Sequence, residues 1–203
     1  MAKYFYKGSP ILAPLSITSN QPIFASDTVS LKQIRAAQNA QRWEVSFNVV
    51  TNDNAVELLL SSVENQANPD TMIMPQLKEV CDIGYGNVYD DFIATTGPEA
   101  VGNDTINMTK ATGTGIVPRG SFIKFSNHTK IYLLKTTIDL STFTSGDIEI
   151  YPSLRVPLNT GAQMLTFDEV TLSYFNSMDD IKGITYSDGI LASPGTITVI
   201  EAL

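Results

Sequence analysis

From Gln41 to Val50 apolar and polar residues alternate one for one: Trp43, Val45, Phe47 and Val49 fall on one side, Glu44, Ser46 and Asn48 on the other. A period of two is the signature of a half-buried strand. The period then changes. Val56, Leu59, Leu60 and Val63 recur at helical spacing with Glu57, Ser61 and Glu64 opposite, and Asn54, three residues before Glu57, approximates a capping box. The pattern predicts a helix over 54–67 with one face on a sheet, ended by Asn68-Pro69-Asp70. A second strand follows from Thr71 and closes at Met74-Pro75-Gln76-Leu77.

Outside this unit the chain reads as β. Lys3 to Tyr6 and Ile11 to Ile17, with Pro10 and Pro14 in the way, predict edge strands or an extended arm, because proline donates nothing to a ladder. Lys32 to Ala40 fits either a short helix or a continuous long hairpin arm, since its apolar positions are small. Gly84, Gly86, Gly97, Pro98 and Gly102 break the period repeatedly, and predict a crossover loop over 80–102. Short strands follow at Thr105–Thr109, Ser121–Ser126, Lys130–Thr136 and Asp147–Tyr151, separated by turn residues as in a small antiparallel barrel or sandwich. Alternation returns between Gln163 and Tyr174 with one slip of register, and Thr196 to Ile200 predicts a final strand. The expected fold is mainly β with one short helix. A β domain formed by 1–90 and 160–203 is interrupted by a small barrel over 103–158.

Composition narrows the function classes. The chain has 203 residues, 43% of them hydrophobic and 17% charged, enough apolar material for a real core. So low a charge leaves Ser, Thr and Asn to cover the surface, or partners to cover it. A net charge of −8 works against binding a phosphate backbone, so no nucleic acid partner is expected. The longest apolar runs, such as Leu58-Leu59-Leu60, are far too short to span a bilayer, and Met1 to Lys7 has no signal-like apolar core; the expectation is assembly in the cytoplasm and no membrane. Cys81 stands alone, so no disulfide can form within the chain, and it reads as a small buried apolar residue. The sequons at Asn103, Asn107 and Asn127 read as strand and turn sequence.

Candidate chemistry is sparse. The single histidine, His128, sits in a polar turn beside Asn127 and Thr129 and reads as a solvated turn residue with no Ser-His-Asp context. The acidic pairs Asp90-Asp91, Asp168-Glu169 and Asp179-Asp180 lack a calcium-loop pattern and read as solvated charges. Gly113-Thr114-Gly115 leads into a strand, not a helix, and so offers no phosphate cradle. Tyr4, Phe5 and Tyr6 read as strand-pairing aromatics. No enzyme and no cofactor or metal is expected. A hydrolase using Asp90 or Asp91 ranks last, and a carbohydrate-binding module displaying Phe122, Phe125, Tyr132 and Tyr151 is the main alternative.

The order of these segments resembles the core of tailed-bacteriophage distal tail and baseplate-hub proteins. The residues concerned are Gln41 to Phe47, the helix around Ala55 to Leu60, Met74-Pro75-Gln76-Leu77, Val117 to Phe125, His128 to Tyr132, and Ile148 to Arg155 with its Pro152-Ser153-Leu154-Arg155. Ser121 departs from the pattern, which carries an acid after the glycine. The resemblance implies a tube-like β domain with an inserted oligosaccharide/oligonucleotide-binding-like barrel, and a hexameric homo-oligomeric ring in the virion tail tip, in contact with tail-tube, hub or fibre proteins. It transfers no catalytic residue. It implies Trp43, Phe47 and Leu59 as core of the ring domain, Pro75 as the end of its strand, and Tyr132, Pro152, Leu154 and Arg155 in the inserted barrel; for Arg42 and Arg155 both a pair with an acid across subunits and an ordinary surface ion pair stay open.

Overall fold

A computed structural model describes residues 4–27, 33–37, 40–49, 57–58, 60, 64–65, 67–76, 93–110, 115–177, 186–187, 190–191 and 195–203. In chain order the strands are β1 (Phe5–Tyr6), β2 (Ser9–Asn20), β3 (Ile23–Asp27), β4 (Gln33–Ala37), β5 (Arg42–Val49), β6 (Asp70–Ile73), β7 (Ile93–Thr95), β8 (Thr105–Lys110) and β9 (Ile116–Val117). They continue as β10 (Phe122–Phe125), β11 (Ile131–Leu134), β12 (Ile138–Asp139), β13 (Ser145–Tyr151), β14 (Gln163–Thr166), β15 (Thr171–Asn176), β16 (Tyr186–Ser187), β17 (Ile190–Leu191) and β18 (Thr196–Glu201). The protein is mainly β, as its alternating patterns require. It divides into two compact units, one made of Met1–Ile73 with Ser173–Leu203 and the other of Met74–Leu172. Residues 74–102 and 159–172, which the sequence pattern leaves outside the small barrel, therefore belong with it.

The first unit carries a six-stranded sheet in the order β1-β2-β5-β18-β15-β6. The strand with the clearest alternation, β5, lies inside it between β2 and β18, and its burial follows the pattern residue by residue: Trp43, Val45, Phe47 and Val49 are buried, Glu44, Ser46 and Asn48 half-buried. The final strand pairs antiparallel with β5, Val199 opposite Val45 and Ile197 opposite Phe47. Tyr6, Met72, Tyr174 and Val199 join the β5 residues in the core.

Three details sharpen or correct the expectations for this unit. β2 is one continuous twelve-residue strand; β1, the end strand, pairs with it only at Ser9 and Pro10, so among the described residues Ile11–Ile17 has a ladder on one side alone, against β5, where the register shifts between Leu12 and Ser16 and accommodates Pro14. Positions 57, 58, 60 and 64 are helical; of the expected inward residues Leu60 alone is described and it is 51% exposed, on the outer side with Glu57 and Glu64, while Leu58 is buried. The strand expected to run to Leu77 stops at Ile73, and Pro75 is a buried residue of the second unit. The choice left open at 32–40 resolves as a hairpin arm: β3 and β4 pair with each other, Ile23 opposite Ala37 and Asp27 opposite Gln33, and form a sheet of their own.

In the second unit six strands pair in the cycle β10-β11-β13-β8-β7-β14, and β14 returns to β10, so the ladder closes on itself. Closure leaves no unpaired edge in this set. The core inside includes Ile106, Met108, Ile123, Phe125, Tyr132, Leu134, Ile148, Ile150, Leu154 and Met164. Expected strands at 105–109, 121–126, 130–136 and 147–151 correspond to β8, β10, β11 and β13. The expected crossover at 80–102 needs correction. Ile93–Thr95 is a strand, β7, that bridges β8 and β14. The register slip between Gln163 and Tyr174 is a 3-10 turn at Phe167–Glu169, entered through Phe167 with φ 50°, which lets the consecutive residues Thr166 and Phe167 both be buried.

Candidate functional site

Two clusters concentrate the polar chemistry of the described residues, one in each unit. The first lies where the end strands of the open sheet approach, β1 beside β6. A two-residue turn at Lys7-Gly8, both with positive φ (49° and 76°), reverses β1 into β2 with Tyr6 opposite Ser9. Two left-handed residues in succession give the type I′ geometry that suits a tight hairpin. A lysine there is sterically disfavoured. It is held by an ion pair with Asp70 at the start of β6. Asp70 also accepts hydrogen bonds from the Thr71 backbone N–H (2.7 Å) and the Tyr174 hydroxyl (3.2 Å), while the Tyr6 hydroxyl donates to Asn176 Oδ1 at 3.0 Å. Burial raises the Asp70 carboxyl, but Lys7, Thr71 and Tyr174 together hold it below its ordinary pKa. Burial, with Tyr6 and Asp70 close by, pushes the Tyr174 hydroxyl up, so it stays a proton donor. The arrangement ties β1 by side chains to β6 and β15, which are already neighbours in the sheet. It presents no nucleophile beside a base.

The second cluster surrounds His128 at the tip of the β10–β11 hairpin. The ring packs against Phe125 at 5.9 Å and edge-on to Tyr132 at 5.5 Å, and neither ring nitrogen has a hydrogen-bond partner. Burial, with the Lys124 and Lys130 ammonium groups adding, pushes His128 down to about 4. The expectation of a solvated turn residue is therefore wrong: the hairpin folds the turn back between two aromatics spaced three residues before and four after it. Asn127 Nδ2 donates to the Pro157 carbonyl at 2.9 Å, the Arg155 backbone N–H donates to the Tyr132 hydroxyl at 3.3 Å, and the Ser126 N–H donates to the Gln163 carbonyl at 2.9 Å. These bonds clasp the tip to the chain after β13 and to β14. Arg155 Nη1 is also buried without a partner.

The remaining sequence candidates fall as follows. Trp43 and Phe47 lie in the core of the first unit; the Trp43 N–H donates to the fully buried carboxylate of Glu201 at 3.1 Å. Tyr132 and Leu154 are fully buried, Pro152 is buried and Arg155 half-buried, all in the second unit. Arg42 is exposed and lines an open groove of about 460 Å³ with Asn20, Gln21, Pro22, Ala40 and Ile200 at the foot of the β3–β4 ribbon. Leu59, Cys81, Asp90-Asp91 and Asp179-Asp180 lie outside the described residues. Phe122, Phe125 and Tyr132 are at most 1% exposed, which removes three of the four aromatics on which the carbohydrate reading rested; Tyr151 is half-buried.

Sequence reasoning missed Gln76. Its Oε1 accepts from the Phe122 N–H at 3.0 Å and its Nε2 donates to the Phe122 carbonyl at 3.4 Å, so one side-chain amide pairs with β10 as a strand would. A glutamine directly after a buried Met-Pro, where the strand pattern fades, was the available signal.

Among the described residues no three His, Cys, Asp or Glu side chains gather as a metal would require, and no helix is long and apolar enough to cross a membrane. No protein-family model matches the chain, and no curated protein matches it either.

Proposed function

We propose that the protein is a structural component of a bacteriophage virion, at the tail tip or baseplate, where copies assemble as a ring, hexameric in the family it resembles, that joins the tail tube to the distal adsorption parts. The reading makes the first unit the tube-like, ring-forming domain and the second an inserted barrel of the oligosaccharide/oligonucleotide-binding-like kind, and assigns the protein no catalysis. One observation carries it: a unit built from both ends of the chain encloses, in sequence, a smaller unit whose strands close on themselves. That is the organisation the motif order from Gln41 to Arg155 implies. The β3–β4 ribbon gives secondary support, because a two-stranded sheet alone is marginally stable in water and gains from a neighbour. A Ser/Thr-rich outer sheet face, with Ser46 Oγ 3.1 Å from Thr198 Oγ1, suits a polar, tightly fitted contact between copies.

The deciding experiment is antibody labelling of purified virions together with solution mass and negative-stain imaging of the isolated protein. Label at the tail tip with ring-shaped particles is expected. Virions free of the protein, with a monomer at high concentration, overturn the proposal.

A further inference from the structure

The tip of the β10–β11 hairpin has a feature that packing alone does not require. An imidazole is a poor filler for an aromatic box when neither nitrogen is bonded, since a buried donor or acceptor left unmade costs free energy that phenylalanine would not incur. The neighbours make its charging harder still. Lys124 comes from β10, where its ammonium donates to the Thr171 hydroxyl at 2.9 Å, and Lys130, almost wholly buried, precedes β11. Tyr132 on β11 receives the Arg155 N–H, and Arg155 itself follows β13. From Arg119 to Lys135 the chain has four Lys or Arg and no Asp or Glu, so the hairpin offers no carboxylate to an imidazolium.

We propose that this tip is an acid-responsive clasp: protonation of His128 drives the ring out from between Phe125 and Tyr132, breaks the Asn127–Pro157 and Tyr132–Arg155 bonds, and frees the chain around residues 155–158 from the barrel. The neutral ring is compatible with the box; the cation, beside the Lys124 and Lys130 ammonium groups and with neither ring nitrogen bonded, is not. The sign follows from linkage. The folded state binds the proton only near about pH 4, where burial and the lysines have moved the group, whereas the unfolded chain binds it near the ordinary imidazole value of about 6.5. Stability from this residue is thus complete above about pH 6.5 and is lost as pH falls from there toward 4. The full separation corresponds to about 300-fold in the folding equilibrium. Because the ring is only partly buried, a loss of about 10- to 100-fold is expected. This inference does not depend on the tail-tip reading.

His128 is the only histidine, so its ring gives a single imidazole signal in a proton–carbon spectrum. The experiment follows that signal, and amide exchange at residues 126–132 and 155–158, in the full chain from pH 7.5 to 3.5. Urea midpoints of wild type and His128→Phe are compared over the same range. The expected result is titration of the ring well below pH 5.5, faster exchange at both segments as it titrates, and a smaller acid loss in His128→Phe than in wild type. Titration near 6.5, or exchange at both segments that is indifferent to the ring's protonation, overturns the clasp. Should His128→Phe fail to fold, the wild-type titration and exchange decide alone.

Discussion

At the scale of the residue, position within the alternation decides cost. Trp43 fills the first-unit core and its backbone N–H is bonded to buried Glu201, so Trp43→Ala is expected to lower unfolding free energy by about 3–5 kcal/mol; a urea midpoint unchanged from wild type would place Trp43 on the wrong face. Gln76→Leu keeps most of the volume but removes both side-chain hydrogen bonds to the Phe122 backbone. A loss of about 1–3 kcal/mol, with faster exchange of the Phe122 amide, is predicted. Asp70 has its proton affinity lowered, so what it contributes is present above the ordinary carboxylate range and fades as pH falls below it. Asp70→Asn should flatten the stability–pH curve below about pH 4, read as a smaller acid shift of the thermal midpoint.

Single residues also show where sequence is readable. Trp43, Val45, Phe47 and Val49 are legible because a strand buried on one face writes its environment directly into the period. His128 was not legible, because its surroundings are set by a hairpin that brings Phe125 and Tyr132 together across a polar turn. Nothing in Asn127-His128-Thr129 says which way the ring points.

At the scale of the element, the misreadings share one cause: local signals were overruled by partners distant in sequence. Ile93–Thr95 is short and flanked by Gly97-Pro98, so no period could develop, yet pairing on both sides makes it a strand. Pro14 lies where the register of β2 against β5 shifts, so one strand runs through a residue that locally signals a break. Positions 57, 58, 60 and 64 are helical as the period predicts, yet Leu58 is buried and Leu60 exposed, because a 3.6 period with three consecutive leucines admits more than one inward face. The β3–β4 ribbon carries a prediction at this scale. Replacing residues 23–37 with a two-residue Asn-Gly turn should leave far-ultraviolet circular dichroism nearly unchanged and reduce assembly to monomer in a solution mass measurement. Rings that persist would remove the ribbon from the interface.

At the scale of the whole molecule, each unit has its own core, and one closes its ladder entirely within residues 74–172. Two cores in one chain violate the conditions for a single cooperative transition. Calorimetry is expected to show two overlapping transitions, with Gln76→Leu lowering one and Trp43→Ala the other. A single transition shifted by both would show that the units melt together. The discontinuous plan was visible in the motif order, but its boundaries were not, because β15 runs across one of them without any break in alternation.

The position of β18 sets an order of events during synthesis. It lies between β5 and β15, so the first-formed strands of the sheet wait with an open edge while about 150 further residues leave the ribosome, ample time at about 5–20 residues per second for the enclosed unit to fold. An exposed edge that persists for seconds is a site for mispairing with another nascent chain. A strand made late therefore covers an edge made early, and a chain stalled before Thr196 should accumulate as aggregate even with its inner unit already native.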